Sequence, residues 1–401
     1  MRLGVAALLA SGLLLATGSQ AQDKKHGPGV TDTEIVIGQS APFSGPASAF
    51  GIYGRIYVSY FQMLNDQGGI NGRKVRFHSL DNGFSPPKAL EQSRKLVEEI
   101  GVLAEVGTVG TPTNSAIQRY LNGKQVPHLL ISAGGSKFND PKANPWTVPF
   151  YPSFEMEAAG YAKHVLKAQP DAKIAVLYQN DDYGKDFVKG LKKGLGDKAK
   201  MIVAEASYEL TDPTVDSQVI SLAASGATVF MNFTTPKFAA QAIRKALDLN
   251  WKPLQFVASP SNSLPAVLVP VGLDKSVGLL SAQFFKQPGD PAWDKDQGMV
   301  DYFAFMKKYM PNEPPTDSIG VSGYVNVQMA AWVLQRSGQE LTRENLIKQA
   351  TSLKEVSLPM LLPGITLSNS SQDYAAYQNF RLARFDGKTW VPIGDIINAK
   401  D

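Results

Sequence analysis

Cysteine is absent from this chain of 401 residues. Disulfide bonds, thiolate nucleophiles and cysteine-ligated metals are therefore excluded, and so is a lipid anchor on an N-terminal cysteine. Without disulfides the protein depends on its hydrophobic core for stability, and a chain of this length can bury one. The length also suggests two or three domains.

Histidine is scarce, and the common enzyme motifs are missing. None of the histidines pairs with another at the spacing of metal ligands; they are His26, His78, His128 and His164. No His-Glu-x-x-His or Gly-x-Ser-x-Gly motif occurs, and no glycine-rich loop ends in Lys-Ser or Lys-Thr. We therefore predict that the protein is not an enzyme and holds no metal or cofactor. An exported hydrolase is the weaker alternative.

Neither sign of charge is concentrated along the chain. The formal net charge is +4, which is too small and too dispersed to indicate a nucleic-acid partner. A solvated helix face explains the densest basic run more simply than a binding patch does; its members are Lys189, Lys192, Lys193, Lys198 and Lys200.

A long hydrophobic run occurs only at the N-terminus. Residues 3–16 are apolar, Arg2 supplies a positive start, and Ser19-Gln20-Ala21 fits a small-x-small cleavage site. The run is shorter than the roughly 20 residues that span a bilayer. The pattern predicts a signal peptide at 1–21 that is cleaved after Ala21, and hence an exported protein. An uncleaved anchor is the alternative, and no stop-transfer pattern supports it.

Residues 34–81 carry the most informative pattern. An apolar strand at 35–38 runs into a serine, glycine and proline loop that opens a helix, and a second strand follows at 74–80. This order predicts a βαβ unit. Its first loop exposes Ser40, Ser44 and Gly45 beside free N–H groups at a helix start, which suits a small polar or anionic ligand.

Strands and helices keep alternating beyond this unit. Apolar strands separated by helices predict parallel, doubly wound sheets, and their number indicates two Rossmann-like α/β lobes. Three prolines within 144–152 place a boundary between lobes near residue 150. We predict strands at 103–106, 128–132, 173–178, 201–206, 228–233 and 254–259, and a terminal hairpin at 380–393. We predict helices at 87–100, 114–122, 154–168, 183–194, 215–224, 237–249, 291–309 and 321–337.

Loops rich in hydroxyl groups and glycine follow these strands, at the edge where open α/β sheets bind ligands. Hydroxyl and N–H groups can hold a carboxylate without a counter-ion in a dry site. Helix capping explains any one loop equally well, but the six loops together favour binding. Asp181 and Asp182 are interpreted as helix caps rather than as a catalytic pair. The loops are 40–45, 107–114, 132–136, 180–184, 233–235 and 259–262.

The sequence resembles the Leu/Ile/Val-binding family of periplasmic solute-binding proteins of ABC importers over nearly the whole mature chain. The most specific matches are Ser44-Gly45-Pro46, the Gly-Gly-Ile-Asn-Gly corner at 68–72, Ile-Ser-Ala-Gly-Gly-Ser at 131–136 and Asp182-Tyr183-Gly184. The resemblance implies a type I periplasmic-binding fold with a three-segment hinge and a ligand cleft between the lobes. The implied lobes are 30–149 with 284–357, and 150–283 with 358–401.

The resemblance also implies site residues. In the family, the loops matching 110–113 and 133–136 hold the ligand carboxylate, so Thr111, Ala133 and Ser136 are expected there, and Tyr183 is expected to close from the second lobe. Phe233 is expected to line the side-chain pocket, although core packing explains it equally well. The full expected set is Ser44, Gly110, Thr111, Thr113, Ala133, Gly134, Ser136, Tyr183, Phe233, Ser259 and Ser261.

One segment departs from the family pattern. Amino-acid binders carry an acidic residue for the ligand ammonium in the second lobe, but 258–263 reads Ala-Ser-Pro-Ser-Asn-Ser. A buried ammonium without a carboxylate partner is costly. The ligand is therefore expected to be an aromatic or aliphatic acid without the amine, unless Asp181, Asp182 or another acid substitutes and the ligand is amino acid-like.

The resulting expectation is a monomeric periplasmic protein that captures a small carboxylate by hinge closure. It would deliver this ligand to the membrane permease and ATPase of an ABC importer. A sensor that signals to a membrane receptor is the alternative that the sequence leaves open.

Overall fold

The computed structural model describes residues 26–398, which form two α/β lobes. The predicted signal peptide at 1–21 lies outside the described residues. No helix within 26–398 combines the length and apolar character needed to cross a bilayer.

The strands and helices have the following bounds. The strands are β1 Glu34–Ala41, β2 Lys74–Asp81, β3 Glu105–Val106, β4 His128–Ile131, β5 Thr147–Pro149, β6 Ile174–Gln179, β7 Ile202–Tyr208, β8 Val229–Phe233, β9 Leu254–Val257, β10 Leu280–Gln283, β11 Asn379–Phe385 and β12 Trp390–Asn398. The helices are α1 Ile52–Asp66, α2 Pro86–Arg94, α3 Thr111–Gly123, α4 Phe154–Ala168, α5 Asp182–Leu195, α6 Asp216–Ala224, α7 Pro236–Asp248, α8 Val269–Val271, α9 Gln297–Tyr309, α10 Ser318–Arg336 and α11 Arg343–Ala350.

The first lobe is built on a parallel sheet. Within the described residues this sheet has five strands in the order β2-β1-β3-β4-β5. Strand β1 is buried along nearly its whole length, because helices cover both faces of a parallel sheet. Helix α10 packs against α1 and α11, so the chain returns to the first lobe after it has built most of the second.

The second lobe contains a mixed sheet. Its described strands run in the order β12-β11-β10-β9-β8-β6-β7. Strands β6 to β10 pair in parallel, whereas β11 pairs antiparallel with both β10 and β12. The terminal hairpin predicted from the sequence therefore extends the sheet of the second lobe.

Side-chain caps fix where the helices of the second lobe begin. The Ser153 hydroxyl accepts a bond from the N–H of Met156 at the start of α4. The Asp181 carboxylate accepts bonds from the N–H groups of Tyr183 (2.9 Å) and Gly184 (3.3 Å) at the start of α5. The structure thus confirms capping for Asp181, and such caps contribute about 1 kcal/mol each.

Helices α8 and α11 have no counterpart among the predicted elements, and three predicted segments differ in form. The proline-rich stretch contains the short strand β5, which prolines tolerate at a sheet edge. The helix predicted at 87–100 continues beyond α2 as a π-helical turn, Lys95–Ile100. The helix predicted at 291–309 divides into a 3₁₀ turn, Pro291–Trp293, and α9. Asp296 causes that break, because its carboxylate caps α9 through the N–H of Met299 (3.1 Å).

Three segments connect the lobes: residues 150–153, 284–296 and 351–378. The second and third are hydrogen-bonded to each other, because Lys286 N donates to Met360 O (2.9 Å) and Leu362 N donates to Phe284 O (3.0 Å). Aromatic contact joins the first to the third, with the rings of Phe150 and Tyr377 5.4 Å apart. The connecting segments therefore form one bundle beside the gap between the lobes.

Candidate ligand-binding site

A cavity lies between the two lobes, at the carboxyl ends of the strands. The first lobe contributes the beginnings of α1, α3 and α10, and the second lobe contributes residues at the ends of β6, β8, β9 and β10. This is the edge where open α/β sheets bind ligands.

Aromatic rings form most of the cavity wall. The rings of Phe50 and Phe84 stack 6.2 Å apart, and Phe154 meets Tyr183 edge to face at 4.9 Å. Such rings bury a large apolar area and prefer stacked or edge-on partners. The wall therefore suits a flat apolar ligand body. The aromatic residues of the lining are Phe50, Tyr53, Phe84, Tyr151, Phe154, Tyr183, Phe284 and Phe285.

Charged side chains do not reach this wall. Among residues 26–398, those lining the cavity include no Asp, Glu, Lys, Arg or His. The polar groups that do line it are hydroxyls, amides and backbone atoms. A charged ligand group here must be neutralised by hydrogen bonds and helix dipoles instead of by an ion pair.

The beginning of α3 offers such groups. Gly110 precedes the helix with a φ of 99°, a conformation that favours glycine, and a Cβ atom there would collide with the ring of Phe84. Thr111 is 3% exposed, and its hydroxyl has no hydrogen-bond partner in the described part of the chain. Pro112 has no N–H, and the N–H of Asn114 donates to Gly110 O (3.1 Å), so the first turn of α3 offers the N–H groups of Thr111 and Thr113. The Thr111 hydroxyl and these N–H groups can together bind an anion.

A buried carboxylate stands behind the opposite wall. Glu157 Oε1 accepts bonds from the Tyr161 hydroxyl (2.7 Å) and Ser259 N (2.7 Å), and Oε2 accepts one from Ser259 Oγ (2.5 Å). Burial raises the pKa of Glu157 to about 7, and the hydrogen bonds oppose that rise. Both Glu157 oxygens are therefore engaged by the protein, and Ser259 separates them from the cavity.

A second buried carboxylate begins α10. Asp317 accepts bonds from Ile319 N (3.0 Å) and from the Ser263 hydroxyl (2.8 Å). Burial raises the pKa of Asp317 to about 6. The next residue, Ser318, lines the cavity and donates its hydroxyl to Asn262 Oδ1 (2.7 Å). Asp317 thus orders the cavity wall without forming part of it.

A sequence profile described as "Periplasmic binding protein" matches residues 34–389. The chain belongs to the periplasmic binding protein family. Residues 1–33 and 390–401 lie outside the match, so it covers the first sheet, all three connecting segments and the second sheet except its edge strand β12.

This periplasmic binding protein is similar to Leu/Ile/Val-binding protein homolog 7 of Brucella suis, with 24% identity over 323 residues, 77% of this chain and 79% of the relative. It shares its fold with a branched chain amino acid ABC transporter protein from Thermus thermophilus with bound valine (TM-score 0.82, 15% identity, covering 92% of this chain and 97% of that one). It also shares it with a solute binding protein from R. palustris in complex with benzoate (TM-score 0.76, 18% identity, covering 91% and 96%). The predicted family and type I fold are confirmed. Like its relatives, the protein is a solute-binding protein and not an enzyme.

Four of the residues predicted for the site of this binding protein line the cavity: Gly110, Thr111, Tyr183 and Ser259. The Tyr183 hydroxyl donates to Thr234 O (3.0 Å) and the Ser259 hydroxyl donates to Glu157. Thr111 therefore has the only side-chain hydroxyl of these four that is without a protein partner in the described chain.

Two other predicted residues lie elsewhere in the first lobe. Ser44 donates its hydroxyl to Asp81 (2.6 Å) at the protein surface, and the pKa of Asp81 is lowered, against the effect of burial, by the bond from Lys88 and then by this one from Ser44. The Thr113 hydroxyl donates back to Val109 O (2.5 Å) and Gly110 O (2.9 Å) within α3. Both hydroxyls therefore stabilise their own loops.

In the second lobe, Phe233 and Ser261 also face protein. Phe233 is fully buried and stacks on Phe187, with centroids 4.6 Å apart, so its observed environment is the core. The Ser261 hydroxyl donates to the carbonyl of Thr234.

The loop after β4 contacts the other lobe. Ala133 is buried beside Phe138, and Gly134 and Ser136 line a neighbouring cavity. Ser136 donates its N–H (2.6 Å) and hydroxyl (3.1 Å) to Asp186 on α5. The carboxylate bound by Ser136 in this structure thus comes from the protein itself.

Several lining residues escaped the sequence analysis. Tyr53 and Phe84 resemble ordinary core residues in the sequence. Gln283 lies within the extended run 280–286, which the sequence indicates only as a crossing between lobes. A glutamine between Ala282 and Phe284 is the available signal, because buried amides usually need a specific partner.

Proposed function

We propose that this protein captures a small aromatic carboxylate that lacks an α-amino group. One observation carries the proposal: a cavity between the lobes has an aromatic wall, a helix start with the unpartnered Thr111 hydroxyl and no charged lining residue in the described chain. The ligand carboxylate binds Thr111 and the N–H groups at the start of α3, while the ring lies among Phe84, Phe154 and Tyr183.

An α-ammonium group has no partner in this arrangement. Two buried carboxylates lie behind the wall, and neither Glu157 nor Asp317 belongs to the cavity lining. To pair with an ammonium, Glu157 would have to give up the donors that engage both of its oxygens, each worth about 1–3 kcal/mol when left unsatisfied. Asp317 uses Oδ1 to cap its own helix and to accept from Ser263. The solved structures with valine and with benzoate make both ligand types compatible with the fold. The uncharged wall favours the second type here.

Capture is proposed to proceed by hinge closure about the three connecting segments, with lobe boundaries near 149, 283 and 357. Ligand that contacts both lobes favours the closed form through its differential affinity. Export by the predicted signal peptide at 1–21 places the monomer in the periplasm, where it delivers its ligand to the permease and ATPase of an ABC importer.

A panel of ligands tests the proposed class. We expect benzoate and its simple derivatives to raise the melting temperature of protein refolded without ligand, while leucine, valine and phenylalanine do not. At a hundredfold excess over Kd the added stability is about 2.7 kcal/mol. Differential scanning fluorimetry measures the shift in melting temperature, and calorimetric titration then measures Kd. A shift with the amino acids and none with the amine-free acids would overturn the proposal.

The contact between Ser136 and Asp186 gives a separate test of hinge closure. Asp186→Ala removes the acceptor for two donors of the other lobe, so the closed form loses stability and benzoate affinity is expected to fall about threefold to tenfold. Asp182→Ala is the control, because its bond to Lys137 (3.0 Å) is exposed and such pairs contribute little. Unchanged affinity in Asp186→Ala, or an equal loss in both variants, would contradict closure through this contact.

A further inference from the structure

A second residue of the cavity lining, Gln283, has a buried polar atom without a partner among residues 26–398. Most polar side chains of the lining are engaged within the protein: Tyr183 by Thr234, Ser259 by Glu157, and Asn262 by Ser318. Two buried side-chain atoms of the lining have no partner among residues 26–398, namely Thr111 Oγ1 and Gln283 Nε2. Native proteins pair most such groups, so an unpaired one in the lining of a cavity favours an external partner there.

The Gln283 amide is held in a defined orientation. The residue ends β10 and is 2% exposed. Its carbonyl oxygen Oε1 accepts a bond from Gln287 Nε2 (2.8 Å), so the Nε2 group is the one that is left over. An amide nitrogen donates hydrogen bonds and accepts none. The group that meets it must therefore be an acceptor.

Thr111 and Gln283 belong to opposite sides of the cavity. Thr111 begins α3 in the first lobe, whereas Gln283 ends a strand of the second lobe. A ligand that satisfies both needs a carboxylate at one end and an acceptor oxygen at the other, with an apolar body between them to meet the aromatic wall.

We infer that Gln283 determines specificity by donating a hydrogen bond to a hydroxyl, methoxy or carbonyl oxygen remote from the ligand carboxylate. This inference rests on the proposed function and narrows it to oxygen-substituted aromatic carboxylates. If the end of the ligand remote from the carboxylate is a plain hydrocarbon, the Gln283 donor stays buried and unpaired. If that end is an ammonium group, two hydrogen-bond donors meet. Both alternatives are disfavoured.

Pairs of ligands with matched shape test the inference. Calorimetric titration compares 4-hydroxybenzoate with 4-methylbenzoate, and 3-hydroxybenzoate with 3-methylbenzoate. A methyl group has about the size of a hydroxyl but accepts no hydrogen bond. We expect the hydroxyl ligand of at least one pair to bind about 10- to 30-fold more tightly, as the loss of one buried neutral hydrogen bond implies. A hydroxyl-to-methyl affinity ratio near one in both pairs overturns the inference.

Variants connect the preference to Gln283. In Gln283→Leu the hydroxyl-to-methyl affinity ratio should fall to near one. In Gln287→Leu the bond that orients the amide is lost, so the ratio should fall in part. Gln255→Leu is the matched control, because Gln255 Nε2 is also buried and unpartnered in the described chain but lies outside the cavity lining; its ratio should stay at the wild-type value. A preference that survives in Gln283→Leu overturns the assignment even if the hydroxyl ligand binds best.

These outcomes separate the inference from the proposed function. If all four benzoates bind with similar affinity, the carboxylate site stands and the role of Gln283 is wrong. If none of them binds, both are wrong. Should Gln283→Leu fail to fold, the wild-type ligand pairs and Gln287→Leu still decide.

Discussion

Replacing Glu157 with alanine should lower the free energy of unfolding by about 3–5 kcal/mol. Glu157 is fully buried and accepts bonds from the Tyr161 hydroxyl and from both the N–H and the hydroxyl of Ser259. The substitution leaves these donors without their acceptor and adds a void between α4 and the loop after β9. Urea unfolding at pH 7 without ligand measures the change.

Glu157→Gln is the conservative control for this prediction. The amide oxygen can accept the bonds from Tyr161 and Ser259 N, and the amide nitrogen can donate to Ser259 Oγ, whose own hydrogen then turns towards Tyr151, 3.2 Å away. We expect a loss of less than about 1 kcal/mol at pH 7. If alanine and glutamine destabilise the protein equally, the buried hydrogen bonds are not what Glu157 contributes.

Comparing the wild type with Glu157→Gln also predicts how the free energy of unfolding depends on pH. The pKa of Glu157 is raised from 4.5 to about 7 in the folded state by burial, so the folded protein keeps a proton that the unfolded chain releases near its ordinary pKa. The contribution of Glu157 to the free energy of unfolding is therefore greatest below about pH 4.5. It decreases as the pH rises towards 7, by about 3 kcal/mol in total. Glu105, whose pKa burial also raises to about 7, acts in the same direction.

Glu157→Gln has no proton to release at this position. Its unfolding free energy should therefore decline less steeply than that of the wild type between pH 5 and pH 7, while the contribution of Glu105 remains in both proteins. Parallel stability curves for the two proteins over this range would show that Glu157 is ionised in the folded state throughout.

Much of the fold follows from local sequence signals. Helix α4 was predicted with the bounds it has, and the cap of α5 by Asp181 was predicted from two acidic residues before Tyr183. Strand β8 is apolar except for Asn232, because both of its faces are buried. The errors occurred where local rules compete: β5 lies inside a proline-rich stretch, and the capping side chain of Asp296 interrupts a helical pattern.

Fewer residues of the cavity lining than of the fold could be predicted from the sequence, and the reason is different. The rule that ligands bind at strand ends indicated the loops 107–114 and 259–262, and the family resemblance indicated Thr111 within the first of them; Gly110, Thr111 and Ser259 of these loops line the cavity. The rule could not find Tyr53 or Phe84, because an aromatic residue in an apolar pattern looks the same in the sequence whether it meets core or ligand. Nor could it reveal that Ser136 meets Asp186, fifty positions later, since that contact depends on how the two lobes approach each other.

Thr111→Val should weaken the binding of 4-hydroxybenzoate about 100-fold and leave the fold intact. Valine keeps the shape of threonine but removes a lining hydroxyl that no residue of 26–398 engages. A buried charge-assisted hydrogen bond from this hydroxyl to the ligand carboxylate is worth about 3 kcal/mol. Thr111→Ser keeps the hydroxyl and should bind within about fivefold of the wild type. Calorimetric titration at constant pH and ionic strength measures the three affinities.

Thr113→Val supplies the control that makes the Thr111 result specific. Thr113 lies two residues along the same helix and is buried as deeply, but its hydroxyl donates to the carbonyls of Val109 and Gly110. Its loss should lower stability by about 1 kcal/mol and change affinity little. The sequence alone assigned both threonines to the ligand, whereas the structure gives only Thr111 an unpaired hydroxyl. If Thr113→Val lost affinity and Thr111→Val did not, the carboxylate would have to be bound through a different register of this loop, and the assignment of the start of α3 to the anion would fall with it.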